Sequence, residues 1–344
     1  MTSAAREQPE PSAVAAASDR RAGAQTRRAL SSAVLQRYAL LILLAAVVVG
    51  FSVRLPDSFP TLLNFRNIVG NQSVLAIVAI AAILPLITGQ FDLSIGSVLG
   101  LTSIATASAL SRFSAPLWVA AMVGIGLGAA VGTFNGVAVA KLGVNALITT
   151  LGVATVITGL ISWYTQGLSI LTGIPRALTD LGSGVWLGLP RTLYGLALVA
   201  LLTWYLLEHT PYGRYLHAVG SNPNAARLVG LDVDRVVILS FTIEGAIIGF
   251  GGVLQVARQG GGNPQTGNFF LMPALSAAFL GATTIHPGRF NVPGTIVAVF
   301  FLATTVSGLS LSGVDTWVES VFNGAALAVA VGLSTMLGRR RAGG

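Results

Sequence analysis

Charged residues are scarce in this chain of 344 residues, because Asp, Glu, Lys and Arg together make up only 9% of it. Soluble globular domains carry about 25% charged residues. Hydrophobic residues make up 53%, glycine adds 41 residues, and the mean hydropathy is +0.76. A soluble domain of this size has no way to hide so much apolar surface from water. The composition therefore argues against a soluble enzyme and indicates a chain embedded in a membrane.

Cysteine is absent, and lysine occurs only once, at Lys141. Without cysteine the chain can form neither a disulfide bond nor a thiolate metal site. A nucleotide-binding P-loop needs the pattern G-x-x-x-x-G-K-[ST], which the residues around Lys141 do not provide. The sequence also has no G-x-S-x-G or H-E-x-x-H motif, and its three histidines lack metal-binding spacing. We therefore predict a protein that is not an enzyme and that binds no cofactor or metal.

Ten apolar stretches predict an all-α polytopic membrane protein, in a transmembrane domain over residues 34–337. Residues 1–33 are poor in large apolar side chains and are predicted to be a disordered basic tail, and residues 338–344 form a second basic tail. The eighth and ninth stretches are short for a hydrocarbon core of about 30 Å, so we expect half-spans or a broken element there. The predicted spans are residues 34–53, 68–88, 94–110, 117–140, 147–164, 193–207, 236–257, 273–284, 296–308 and 317–337.

The distribution of basic residues predicts the orientation of these spans. With the N-terminus in the cytoplasm, 14 of the 20 Lys and Arg residues fall on the cytoplasmic side, as the positive-inside rule requires. Both termini are then cytoplasmic, the long loop 165–192 lies outside and the long loop 208–235 lies inside. The net charge of +8 is typical of loops that face anionic membrane lipid. No basic stretch is interleaved with aromatic residues, so we predict no nucleic-acid binding.

Residues 89–97 interrupt the apolar pattern with the segment GQFDLSIGS. Gly89 is suited to end one helix in a left-handed conformation, and Asp92 is suited to cap the next helix. A structural cap alone would explain the motif. The alternative is a broken helix that lines a translocation path, because irregular backbone at membrane depth survives only against protein or a water-filled cavity.

Residues 221–230 read SNPNAARLVG and predict a short, exposed cytoplasmic helix. Asn222 suits the N-cap, Pro223 the first turn and Gly230 the residue after the last turn. Ala226 and Val229 are three apart, so we expect them to share a small apolar face that a soluble partner approaches closely. The alternative is a plain helix lying on lipid. The predicted partner-binding residues are Asn222, Pro223, Asn224, Ala225, Ala226, Arg227 and Gly230.

Glycines recur every four residues in the fourth span, at Gly124, Gly128, Gly132 and Gly136. This spacing places small residues on one helix face and predicts close packing against another helix.

Glu244 is predicted to lie about 12 Å inside the seventh span. A carboxylate at that depth must face protein or water. Three interpretations stay open: polar contact between helices, a lining residue of the pore, or proton coupling.

Together these motifs resemble the ribose-type permease subunits of bacterial ABC importers, over roughly residues 60–337. Residues 90–97 resemble the signature G-G-I-D-L-S-V-G-S of that family. Residues 220–230 resemble its cytoplasmic segment G-x-N-x-x-A-A-x-x-x-G, and residues 281–295 resemble its late glycine-rich loop.

Two segments depart from the family pattern. Ala146-Leu147 stand where Pro-Phe is usual, and Glu244 stands where a small residue is usual. These departures bear on which solute is carried rather than on family membership. The residues that we expect to line the translocation pathway are Gln90, Asp92, Ser94, Asn145, Thr149 and Glu244.

The resemblance implies a permease that carries a monosaccharide or a related polyol across the cell inner membrane. It implies three partners: a cytosolic ATP-binding subunit, an external solute-binding protein, and a second permease copy in a homodimer or heterodimer. ATP hydrolysis would then take place in the separate subunit. Its movements would reach the spans through residues 221–231.

Two alternatives stay open at this stage. The first is an ion-coupled secondary transporter or channel, in which Asp92 and Glu244 would bind the coupling ion. The second keeps the ABC machinery but changes the cargo to branched amino acids or another small polar solute, because a fold does not determine the chemistry of its pocket.

Overall fold

The computed structural model describes residues 37–342, and most of these residues lie in helices. Seven described helices are long and apolar enough to cross a membrane: α1 (Arg37–Arg54), α2 (Leu62–Ile87), α4 (Leu117–Ala140), α5 (Ala146–Thr165), α7 (Arg191–His209), α10 (Val233–Gln259) and α12 (Val292–Leu311). Shorter apolar stretches lie in α3 (Ile95–Ser111), α11 (Leu271–Gly281, preceded by the 3₁₀ turn Thr266–Phe269) and α13 (Thr316–Ala342). The remaining elements lie in the loops: α6 (Arg176–Ser183), α8 (Pro211–Ser221), α9 (Pro223–Leu228), and the strands β1 (Val185–Trp186) and β2 (Leu189–Pro190).

Each of the ten predicted stretches corresponds to one of these apolar helices, so the all-α polytopic fold is confirmed. The eighth stretch is short, as expected, because α11 has only 11 residues. The expectation that the ninth is short is wrong, because α12 has 20 residues. Its N-cap is Asn291, whose side chain accepts from the Gly294 N–H at 2.8 Å, so the helix starts four residues before the predicted stretch at 296–308. The predicted basic tail at residues 1–33 lies outside the described residues.

The connecting segments lie together as an up-and-down order of spans requires. On the side predicted to be cytoplasmic, the Ile285 N–H donates to the Arg37 carbonyl at 2.9 Å. On the opposite side, the Arg66 guanidinium donates to the Gly188 carbonyl at 3.0 Å, and Ile170 pairs with Gly262. Segments that are far apart in sequence therefore meet on the side where charge counting places each of them.

Helices α2 and α10 form the centre of the molecule, and most of the residues in each are buried. Helix α4 packs directly against α10, as its glycine spacing predicts. A Cβ atom on Gly128 would clash with the Gly245 carbonyl, and one on Gly132 would clash with the Phe241 carbonyl. The two backbones thus touch, which dispersion and weak hydrogen bonding favour in a lipid environment.

Candidate functional site

The loop between α2 and α3 adopts the break that its sequence predicts. Gly89 follows α2 in the left-handed region, with φ of +81°. The expectation that Asp92 caps α3 is wrong, because Ser94 occupies the N-cap position. Asp92 Oδ1 instead accepts from the Ser94 N–H and from the Ser94 hydroxyl, both at 2.6 Å. Asp92 therefore fixes the residue before the helix rather than the first turn of the helix itself.

A buried polar cluster forms where this loop meets α4 and α10. The Asn135 side-chain amide donates to Ser94 Oγ at 2.9 Å and to Asp92 Oδ2 at 3.4 Å. Glu244 on α10 is only 1% exposed, and the Asp92 carboxyl group is the charged group that acts on it. The backbone N–H of Leu93 donates to the Thr150 hydroxyl of α5 at 2.9 Å. The structure thus joins three of the predicted pathway residues, Asp92, Ser94 and Glu244, in one buried cluster.

Sequence reasoning missed two members of this region, Asn135 and Thr150. Asn135 is the only amide side chain in α4; it is buried and stands between Gly132 and Gly136. Its position beside the glycine stripe is a signal that could have found it. Thr150 carries no such signal, because its contact with residue 93 spans 57 positions of sequence.

The other three predicted pathway residues lie elsewhere. Asn145 is exposed and caps α5 by accepting from the Leu147 N–H at 2.9 Å. Thr149 donates to the Asn145 carbonyl at 3.0 Å, so both side chains serve the first turn of α5. Gln90 is half-buried in the loop. A pathway role for all six residues stays a prediction.

The cytoplasmic segment α8–α9 has the punctuation that its sequence predicts. Asn222 caps α9, because its side chain accepts from the N–H groups of Asn224 and Ala225 at 3.0 Å. Gly230 follows the helix with φ of +85°, a conformation that side chains disfavour. The start and end of this short helix are therefore fixed by specific residues.

The exposed face of α9 differs from the expected one. Ala226 is buried at 4% exposure, whereas Leu228 and Val229 are 90% and 77% exposed. The expectation that Ala226 and Val229 share a face is wrong, because the helix ends at Leu228 and the three-residue spacing no longer applies. Leu228 and Val229 therefore supply the apolar surface that a partner would meet.

Helix α9 is linked to the start of α10. The Arg227 guanidinium lies 3.1 Å from the Asp234 carboxylate in the first turn of α10. The Tyr212 hydroxyl of α8 donates to the Val236 carbonyl at 3.0 Å, and burial raises the pKa of this phenol above its usual value. Tyr212 is therefore neutral and remains a donor across the physiological pH range.

A polar cleft of about 180 Å³ opens between α2, α11, α12 and α13. Amide and carboxylate side chains share it with two phenylalanine rings, whereas the larger crevices beside α4 and α5 have almost entirely apolar linings. The polar residues that line it are Asn71, Gln72, Glu319 and Asn323, and the rings are Phe269 and Phe270. Sequence reasoning did not single out any of them.

Comparison with known proteins identifies the protein family to which the chain belongs. Residues 64–331 match a family described as "Branched-chain amino acid transport system / permease component". The chain belongs to this permease family.

Individual relatives of the permease cover nearly its whole length. The ribose import permease protein RbsC of Escherichia coli (strain K12) is 33% identical over 309 residues, which make up 89% of the permease and 95% of RbsC. RbsC of Bacillus subtilis (strain 168) is 30% identical over 299 residues, or 87% and 92% of the two chains. The fructose import permease protein FrcC of Rhizobium meliloti is 28% identical over 300 residues, or 85% and 83%. No solved structure matches the permease.

These relationships confirm the resemblance to ribose-type permeases and the location in the cell inner membrane. The permease is therefore the multi-pass membrane subunit of a transport system.

Proposed function

We propose that the permease forms the membrane pathway of an ATP-driven importer and that its cargo is a monosaccharide. The relatives named above support a sugar, and further relatives in Escherichia coli (strain K12) are named for D-allose and L-arabinose transport. The wider family description names branched-chain amino acids instead. The polar cleft favours the sugar, because amide and carboxylate groups hydrogen-bond hydroxyls while aromatic rings pack against apolar faces.

The observation that carries the ATP-driven mechanism is the exposed tip of α9. Leu228 and Val229 present large apolar side chains on a short, doubly capped helix in a polar cytoplasmic loop. The chain has no P-loop, so the proposal assigns ATP hydrolysis to a separate cytosolic subunit that docks on this tip. Asn222, Pro223, Asn224, Ala225 and Arg227 are all exposed around it. Buried Ala226 and the left-handed Gly230 hold its shape.

The contacts of α9 provide a route from that subunit to the spans. The ion pair of Arg227 with Asp234 joins α9 to α10, and α10 packs through its glycines against α4. A movement imposed on α9 by ATP binding would therefore tilt or shift α10 as a rigid element. Such a shift between two packed states is how outward and inward access would alternate.

The proposal includes two further partners. An external solute-binding protein would deliver the sugar to the outer loops, which include α6 and the β1–β2 hairpin. A second permease copy would complete the pathway. Both partners rest on the resemblance of the permease to its family rather than on a described contact.

The test replaces Leu228 or Val229 with Asp and measures binding to the cognate ATP-binding subunit. A carboxylate would have to be desolvated in the contact, so we expect affinity to fall at least about tenfold, which corresponds to about 1.4 kcal/mol. Sugar uptake by the reconstituted complex should fall in parallel. Leu168→Asp is the matched control, because Leu168 is 71% exposed in the loop predicted to lie outside.

Full ATPase binding by both α9 variants would show that this tip is not the docking site. Loss of binding in all three variants would point to a general folding defect, which size-exclusion profiles of the purified proteins would reveal. Loss confined to Leu228→Asp and Val229→Asp supports the proposal.

A further inference from the structure

Three buried side-chain oxygens of the described residues have no hydrogen-bond donor, and all three belong to one cluster. They are Asn135 Oδ1 and both carboxyl oxygens of Glu244. Buried polar atoms are nearly always paired, because an unpaired one keeps the full cost of leaving water. Each of the three oxygens is a hydrogen-bond acceptor. The cluster therefore needs a further donor, which could be a cation or a proton on one of the carboxyl groups.

The group closest to Glu244 is another acid. Glu244 is 1% exposed, Asp92 is 6% exposed, and the two carboxyl groups are near enough to act on each other. Two ionised carboxylates this close in a buried site repel each other strongly, and neither has a hydrogen to donate. The contact becomes favourable when one of the two carries a proton, as in paired carboxyl groups elsewhere.

Within residues 37–342, no basic side chain acts on Asp92 or Glu244 to compensate both charges. Helices α3 and α4 contain no ionisable residue, and α2 contains only Arg66, in its first turns at the opposite end. The ionisable residues of α6 to α9 lie on segments that pack against the ends of α10. The charged group that faces Glu244, near the middle of α10, is Asp92. Those end groups are Arg176, Asp180, Arg191, Tyr194, Tyr205, Glu208, His209, Tyr212, Arg214, Tyr215, His217 and Arg227.

The donors that are present stabilise one negative charge and no more. Asp92 accepts from the Ser94 N–H, the Ser94 hydroxyl and the Asn135 amide. These three bonds are suited to an ionised Asp92, because hydrogen bonds to a carboxylate favour its charged form. Glu244 receives none of them, so Glu244 is the partner suited to hold the hydrogen.

We propose that Asp92 and Glu244 bind one proton between them and keep it at neutral pH. Glu244 then donates its O–H to Asp92 or to Asn135 Oδ1, and the cluster holds a single negative charge. This proton bridges the α2–α3 loop and α4 to the middle of α10. The proposal does not depend on which solute the permease carries.

Infrared spectroscopy of the purified permease in lipid tests the proton directly. Exposed carboxyl groups are ionised above about pH 6, so a protonated-carboxyl C=O band at pH 7 to 8 must come from a shielded site. We expect this band in the wild type and expect the double variant Asp92→Asn/Glu244→Gln to lack it. Glu208→Gln is the matched control, because Glu208 is exposed on α7, and it should keep the band.

Thermal unfolding in the same lipid gives a second readout. The unfolded chain releases this proton at an ordinary carboxyl pKa of about 4, whereas the folded chain holds it. The wild-type midpoint should therefore fall as the pH rises above about 7, where exposed carboxyl groups no longer titrate. The double variant should fall less over this range. Both amide replacements match the shape of a protonated carboxyl group and can donate, so they are suited to preserve the fold.

Two results would overturn the proposal. The first is the absence of the band in wild type, or its persistence in the double variant. The second is a wild-type midpoint that rises when sodium replaces choline at constant ionic strength, with no such rise in the double variant. That result would show two ionised carboxylates that hold a metal cation instead.

Discussion

His217 is the residue whose protonation the fold opposes on the cytoplasmic side. Burial within α8 lowers the pKa of its imidazole below the usual value, Arg289 lowers it further, and Glu208 acts in the opposite direction. Helix α8 connects the last turn of α7 to α9. The charge on His217 therefore affects the stability of α8, the helix that precedes the proposed docking helix α9.

This shift predicts that the permease loses stability in acid. A histidine whose pKa is lower in the folded state contributes stability above its unfolded pKa of about 6.5, and that stability is lost as pH falls through the folded value. The thermal midpoint should therefore drop as the pH falls below about 6.5, and His217→Gln should lessen the drop. His209→Gln, at an exposed position of α7, is the control; equal pH profiles for wild type and His217→Gln would refute the assignment.

The contact between α4 and α10 is the most extensive one between the described helices. Gly132 has no room for a methyl group, because its Cβ would overlap the Phe241 carbonyl. A Cβ atom on Gly126 of the same helix would meet no other atom within 4 Å, so this position offers open space. The two glycines share a helix and differ only in the face they occupy.

We expect Gly132→Ala to destabilise the permease by about 1–3 kcal/mol, the usual cost of forcing extra volume into a packed interface. Gly126→Ala should be neutral or stabilising by up to about 1 kcal/mol, because alanine favours a helix over glycine. Thermal unfolding of the two variants in lipid measures the difference. Equal unfolding midpoints for the two variants would contradict the close packing of α4 against α10.

The sequence predicts the helices well because each is a local apolar run. Helix caps also depend on local sequence. Asn222 is therefore found at the N-cap of α9, as its side chain predicts, and Gly230 is found after the end of α9, as its backbone freedom predicts. The start of α12 was missed because four residues before the apolar stretch join the helix once Asn291 caps it. The β1–β2 hairpin was missed because two-residue strands carry no readable period.

The site is harder to predict because it depends on contacts between distant positions. The sequence singled out Asp92 and Glu244 separately, but no local pattern shows that residues 92, 135 and 244 meet. The orientation of α9 was mistaken for a similar reason. Which side of a six-residue helix is buried depends on the α8 and α10 surfaces against which it packs.

At the scale of the whole molecule, the polar cleft is where we expect the sugar to contact the described part of the chain. Gln72→Leu or Asn323→Leu would remove one hydrogen-bonding group each. A hydrogen bond contributes about 0.5–1.5 kcal/mol, so each change should reduce uptake at low sugar concentration about twofold to tenfold. Association with the ATP-binding subunit should be unchanged.

Gln265→Leu is the control for these variants, because Gln265 is exposed in the segment before the 3₁₀ turn. Transport by proteoliposomes that contain the full complex provides the measurement. Unchanged uptake in both cleft variants would remove the cleft from the pathway, while leaving the docking role of α9 to its own test.

The close contact of Gly245 with α4 also gives α10 a point about which it can tilt. A helix of 27 residues is about 40 Å long, and Gly245 stands near its middle. A rod pinned at its midpoint moves its two ends in opposite directions by similar distances. Tilting α10 by about 10° would therefore displace each end by roughly 3–4 Å. A pull on α9 at one membrane face would thus appear as an opposite displacement of Gln259 at the other face.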